Sequence, residues 1–210
     1  MQDSRDNLVQ GRTRWRRFAA LMVPSAVVAG GIVVGMANGA IAASLNVSGS
    51  TFQVAADRLE GEGFTQYGGV AVDKDAAHPV AVSGIRSADL YNMCQSVNVG
   101  GAPVTVTIKA GTDPAHPAHA DDLLIGMDEL RGDATFKNIK IGVDAGPLGG
   151  DAGAFGQKAD HVTINDLGQV ARYTSAGTFR LNNLQLKVNL GDPAQFKCVP
   201  WGPLNEAPKG

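Results

Sequence analysis

At 210 residues, with a formal net charge of −2 and only 18% charged residues, the chain lacks the basic surface that nucleic-acid binding through phosphate neutralisation requires. Five of its 18 Lys and Arg and two of its 20 Asp and Glu fall in the first 42 residues, which leaves 13 against 18 and a net charge of −5 for the remainder. That remainder is about one domain long. It is rich in Gly, Val, Thr and Asn, a composition of strands and turns rather than of long charged helices.

Phe18 to Ala43 reads FAALMVPSAVVAGGIVVGMANGAIAA and holds no charged residue, with Arg12, Arg14, Arg16 and Arg17 just before it. About 20 apolar residues rising ~1.5 Å each cross a hydrocarbon core of about 30 Å. Two readings are open. Ala40-Ile41-Ala42 offers a small-x-small site for cleavage before Ala43, as in a signal peptide. Phe18–Ala37 also exceeds a usual signal core, and a bilayer tolerates its Pro24 and Gly30-Gly31, as in an uncleaved signal anchor. In both, the arginines stay cytoplasmic and the chain after about residue 43 faces outward. Arg16-Arg17 is ordinary flanking charge rather than a twin-arginine signal. The expected organisation is a cytoplasmic basic segment 1–17, a signal anchor or signal peptide 18–43, an extracytoplasmic β-rich domain 44–198 and a flexible tail 199–210. Cys94 and Cys198, the two cysteines of a chain placed outside a reducing cytoplasm, are expected to form a disulfide. On the chain-entropy model a loop of ~100 residues makes that bond worth about 4–5 kcal/mol.

Beyond the leader, period-two alternation marks half-buried strands. Leu45 and Val47 alternate with polar neighbours, and Phe52 and Val54 do so again. Gly61, Gly63, Gly68 and Gly69 punctuate the next stretch, and Asp73 to Pro79 reads as a polar turn. Val80 and Val82 open a strand leading into GIRSADLYNMCQSVNV, and Gly100 to Pro103 is a turn. In VTVTIKAG, Val104, Val106 and Ile108 take one face while Thr105, Thr107 and Lys109 take the other. Gly111 to Ala120 reads as a Pro-rich loop, and LLIGMDELRG as either a short helix or a strand. ATFKNIKIGV, a Gly-rich loop from Gly142 to Gly156, the strand-like HVTINDL and GTFRLNNLQLKVNL follow.

Phe136 to Val143 and Leu181 to Val188 share one pattern, apolar-x-Asn-apolar-x-apolar-x-Val. In each the apolar phase slips by one residue at the Asn, so a bulge or bend is expected at Asn138 and Asn183. Ala-Asp pairs recur at Asp57, Asp89, Asp121 and Asp160. Real repetition would mean stacked strand units; the alternative is chance in a chain rich in Ala and Asp. The fold class is therefore mainly β: an exported antiparallel β-rich domain, either a sandwich or an elongated, solenoid-like curved sheet, after one N-terminal membrane helix.

Catalytic chemistry has no sequence signature here. The G-x-S-x-G elbow is absent: Gly49 lies between Ser48 and Ser50, and the Gly that should precede Ser83-Gly84 is missing. His78, His116, His119 and His161 are bases on paper only, and the catalytic residues are unknown. His116, His119 and Asp121 are the candidate metal ligands, beside Asp113 and Asp122. Pro114 and Pro117 make them part of an exposed loop, and no helical His-x-x-x-His spacing is present, so no metal is expected. Asp144 and Asp151 do not meet a calcium-repeat pattern, and with no dinucleotide or phosphate motif no cofactor is expected.

RTRWRRFAALMVPS, GAIAASLNVSGSTFQVAADRLEGEGFTQYGGV, the surroundings of Cys94 and DATFKNIKIGV together resemble a family of small actinobacterial envelope proteins of unknown function. The likeness covers nearly the whole chain up to Cys198 and is most specific at the leader junction. It implies an exported β-rich protein. Genes of the family often adjoin one for a small multi-span membrane protein, which implies a partner of that kind. Some members are labelled cholesterol esterase, and no catalytic residues come with the label. The expectation is a membrane-anchored or secreted envelope protein that binds lipid or a membrane protein and no nucleic acid. The alternative is a secreted lipid-ester hydrolase.

Overall fold

The computed structural model describes residues 50–74, 76–99 and 103–199. Phe18–Ala43, the junction at Ala42-Ala43, the Leu45/Val47 alternation and the tail beyond Val199 lie outside the described residues. Nine strands make one antiparallel sheet: β1 (Phe52–Val72), β2 (Ala77–Tyr91), β3 (Met93–Asn98), β4 (Val104–Ala110), β5 (Ala118–Lys137), β6 (Lys140–Asp144), β7 (Phe155–Ser175), β8 (Thr178–Arg180) and β9 (Gln185–Leu190). Two short 3₁₀ turns, Gly146–Leu148 and Pro193–Phe196, are the helical content among the described residues, and none is long and apolar enough to cross a membrane.

The sheet closes on itself. β1 pairs with β2, β2 with β5, β5 with β7, and β7 returns to β1 through Phe52↔Ala171 to Ala56↔Leu167. The core fills this circuit with Val54, Leu59 and Phe64 of β1, Ile85 and Leu90 of β2, Leu123, Ile125 and Met127 of β5, and Val162, Ile164 and Leu167 of β7. Phe64 meets Phe136 with ring centroids 5.1 Å apart. The remaining strands form a three-stranded wing: β3 continues β2 along β1, β4 pairs with β3, and β9 pairs with β4 as the sheet edge. The chain is thus mainly antiparallel β as expected; successive strands pair in β1–β2, β3–β4 and β6–β7, and the pairings β7–β1, β2–β5 and β4–β9 join strands distant in sequence and close the sheet rather than stacking units as a solenoid does.

Several local expectations change. β1 runs unbroken through Gly61, Gly63, Gly68 and Gly69. Gly61 is not a break but a close approach: a Cβ there would stand 2.7 Å from Ile85 Cγ2 and 3.1 Å from Val162 Cγ1. Gly63 takes a left-handed φ of 70°, where the inward phase moves from Leu59 and Gly61 to Phe64. LLIGMDELRG is strand, inside β5. That strand begins at Ala118, so the Pro-rich loop shrinks to 111–117 and His119 is a strand residue. Val199 is buried rather than part of a loose tail, its N–H donating to Gln53 Oε1 at 3.4 Å.

The bends at Asn138 and Asn183 are present, with left-handed φ of 55° and 56°. Asn92 is a third, at 52°. Leu90-Tyr91-Asn92-Met93-Cys94-Gln95-Ser96-Val97 repeats the same pattern except that Gln95 fills an apolar position. At Asn92 the outer neighbour of the β2–β3 line changes from β5 to β4; at Asn183 the last strands pass from β5 to β4; at Asn138 the β5–β6 line bends while staying on β7. Asn tolerates the left-handed region better than most side chains do, so Asn92 alone separates β2 from β3, while Asn138 and Asn183 lie in the short breaks 138–139 and 181–184.

The disulfide Cys94–Cys198 is present and ties β3 to the segment that follows β9. Gly61→Ala is expected to cost about 1–3 kcal/mol in urea unfolding by overpacking the core. Gly68→Ala, which has nothing within 4 Å of the added Cβ, is expected to leave the midpoint near the wild-type value.

Candidate functional site

The wing is turned the opposite way from an ordinary sheet face. Directly opposed residues of antiparallel strands share a face. One row therefore runs Phe52, Val97, Val106, Val188 across β1, β3, β4 and β9, and the next runs Val54, Gln95, Ile108, Leu186. Val104 and Leu190 begin a third. This apolar face starts at the core, which Phe52 and Ile108 still touch, and runs out into solvent. At the edge strand Leu186 is 59% exposed, Val188 63% and Leu190 77%. The opposite, polar face is the covered one. Gln53, Ser96 and Thr105 are all fully buried there, under the segment Pro193–Val199. Cys198 N–H donates to Ser96 Oγ at 3.1 Å, and Asn189 Nδ2 donates to Thr105 O at 3.1 Å and to Thr107 Oγ1. The alternation of β4 is as expected from the sequence, but Thr105 is inside and its Val neighbours are half-exposed. A sequence reader sees the two faces and has no local signal for which one is covered.

Beside the covered face lies a cleft of 610 Å³ whose wall includes the Cys94–Cys198 bridge. Lys109, Lys187 and Lys197 line one side, and Asp57 and Asp166 the other. Asp166 has a left-handed φ of 50°, and Asn92 Nδ2 holds Asp57 Oδ2 at 3.1 Å. None of these residues carries a sequence motif. They come from β1, β4, β7, β9 and the C-terminal segment, and only the closing of the sheet gathers them.

The residues singled out from the sequence are dispersed. His116 Nδ1 meets Asp113 Oδ2 at 2.8 Å in the turn before β5. His119, in β5, sits between Asp89 Oδ1 at 2.8 Å and Asp121 Oδ1 at 3.2 Å. His116 and His119 thus belong to separate ion pairs, and among the described residues no group of three His, Cys, Asp or Glu is arranged to hold a metal ion. Asp144 Oδ1 accepts from the backbone N–H of Gly146 and of Gly153, at 2.9 and 2.8 Å. Those bonds lower its pKa and pin the Gly-rich loop. Ser83 is buried and accepts from Gln66 Nε2 at 3.1 Å, away from any histidine bond. No sequence pattern announces a chain of three groups on β1 and β7: Thr163 Oγ1 lies 3.1 Å from His161 Nε2, whose Nδ1 lies 2.8 Å from Glu62 Oε1.

His119 also sets a pH dependence. The hydrogen bond to Asp89 is the main cause raising its pKa above the ordinary 6.5, and Asp121 adds to it against a smaller effect of burial. A pKa raised on folding stabilises the protein fully below the unfolded value, and that stabilisation is lost as pH rises through the folded value. The Tm is therefore expected to fall as pH rises above the ordinary value of 6.5, and His119→Gln is expected to flatten that slope when melts are recorded across neutral pH.

No curated protein and no solved structure matches the chain. A profile of a family of unknown function (DUF6230) matches residues 48–199, which holds every strand, the wing and the disulfide. The chain belongs to that family.

Proposed function

We propose that the protein is held at a membrane of the cell envelope, with its β-domain on the outer side, and that the outward face of the wing rests on lipid. The observation that carries this reading is the row Leu186, Val188, Leu190 on an edge strand whose polar side is the covered one. A soluble domain has no use for that orientation, and an exposed apolar edge is a liability in water unless something covers it. Burying these three side chains contributes on the order of 5 kcal/mol.

Lipid is the occupant favoured by the rest of the chain. The uncharged stretch Phe18–Ala43 ends nine residues before Phe52, which stands in the same row as Val188. Nine residues extend at most about 30 Å, so a membrane-inserted segment would limit how far Phe52 can stand from the bilayer. The net charge of −5 after the leader gives no attraction to anionic lipid, so contact rests on apolar area. The disulfide agrees with an oxidising compartment.

The hydrolase reading has one observation in its favour, the Thr163–His161–Glu62 chain, in which a hydroxyl, an imidazole and a carboxylate stand in the order of a catalytic triad. None of its three residues lines the 610 Å³ cleft.

Because Cys94 and Cys198 are bonded to each other, Val188→Cys and Lys187→Cys each supply a single free thiol for a nitroxide label in the full chain. In vesicles, the label at 188 is expected to be accessible to oxygen and shielded from a water-soluble nickel reagent, with the reverse at 187. Equal nickel accessibility at both sites would falsify lipid docking, and a label at 188 immobilised only beside a multi-span membrane protein would transfer the face to that partner. On p-nitrophenyl and steryl esters, wild type and Thr163→Ala are expected to show the same background rate; a rate lost in the variant reverses the order of the two readings.

A further inference from the structure

The 610 Å³ cleft brings together two like-charged pairs that the fold does not neutralise. On the covered side of the wing, Lys109 pairs with Gln185 and Thr107 with Lys187, so the two lysines are diagonal neighbours on one face, about 7 Å apart at Cβ. On the facing wall Asp57 follows and Asp166 precedes the last β1–β7 pair, Ala56↔Leu167, so the two carboxylates leave the ladder at the same end and both line the cleft. Like charges at such positions cost stability. Neither lysine has an ion pair among the described residues, and Asp57 is held by Asn92 rather than by a cation. The two pairs share one cleft and do not salt-bridge across it. Lys197, brought in by the disulfide-tied segment, adds to the cationic wall.

We infer that this cleft binds a dipolar small molecule, with an anionic group between Lys109 and Lys187 and an amine between Asp57 and Asp166. Its volume lies in the range of small-ligand sites. Such a ligand relieves both repulsions at once, whereas a simple anion relieves one and leaves the carboxylates facing each other. A residual repulsion kept in the free protein is what a binding site costs when stability is given up for function. The cleft opens on the side of the wing opposite its apolar face, so the inference stands apart from lipid docking. The chemistry fits a phosphoethanolamine group, whether free or carried by a lipid.

The test uses the full chain in detergent micelles with O-phosphoethanolamine as the probe, and inorganic phosphate and ethanolamine as separate arms. Phosphoethanolamine is expected to bind more than tenfold more tightly than either half. Lys187→Gln and Asp166→Asn are each expected to weaken it about tenfold while leaving the Tm unchanged or raising it by about 1–4 °C, because each removes one repulsion. Weaker binding with a retained or raised Tm separates a ligand role from misfolding, since a merely structural role would lower the Tm. A short-chain phosphatidylethanolamine assigns the source: competition points to a lipid headgroup, and no competition to a soluble ligand. The inference is overturned if phosphoethanolamine does not bind at millimolar concentration, if phosphate alone binds as tightly, or if both variants bind like the wild type.

Discussion

A polar sheet face can be buried only where its hydrogen-bonding groups find partners, and in this protein the C-terminal segment supplies them. Gln53, Ser96 and Thr105 have no access to water, and the N–H groups of Val199 and Cys198 donate to the first two. The disulfide holds that segment in place, since Cys198 is bonded to Cys94 two residues from Ser96. The arrangement is not free of cost: the Thr105 hydroxyl is buried without a hydrogen-bond partner among the described residues, a penalty of about 1–3 kcal/mol. The wing's orientation follows from this. With the polar side sealed by seven residues of chain, the apolar side of β4 and β9 has nothing of the described domain left to cover it.

The same logic accounts for the partner changes at Asn92 and Asn183. A sheet that closes on itself and also carries a wing has strands that belong partly to each. β2–β3 must leave β5 for β4 while staying on β1, and β8–β9 must also pass from β5 to β4. At Asn92 a single left-handed residue makes the transfer, and at Asn183 it is made within the short turn 181–184. The crossing level is stitched by backbone bonds, with Asn92 N–H donating to Gly111 O and Gly111 N–H to Asn182 O, both at 2.7 Å. Three lines of chain thus pass from core to wing at one level, and the cleft opens beside it, with Asn92 in its wall.

What the sequence disclosed and what it hid divide along the range of the interactions. The disulfide was legible because the cysteine count is a property of the whole chain, and two cysteines leave one pairing. Asn138 and Asn183 were legible because the phase slip lies within eight residues. Asn92 was missed because Gln95 interrupts the apolar pattern, and Gln95 is tolerated where the wing meets the core. The length of β1 was misread because glycine is ambiguous in sequence: Gly61 is where β1 passes close against Ile85 and Val162, a contact no local window contains. The candidate sites were the least legible part. Leu186, Val188 and Leu190 alternate plainly, but what turns them outward is a hydrogen-bonding segment that covers the other face. Lys109 with Lys187, and Asp57 with Asp166, meet only after β4 has paired with β9 and β1 with β7.

The two faces of the wing are therefore consequences of one another. Three strands are too thin to hide both sides, so whatever seals one side commits the other. Sealing the polar side with a tied segment both forms a charged cleft along that segment's edge and leaves a flat apolar sheet opposite. If the fold had sealed the apolar side instead, no cleft would bring Lys109 and Lys187 near Asp57 and Asp166. The unneutralised charges and the uncovered leucines are the two costs of the same packing choice. A chain that accepts both is left with an exposed apolar surface on one side and a charged cleft on the other.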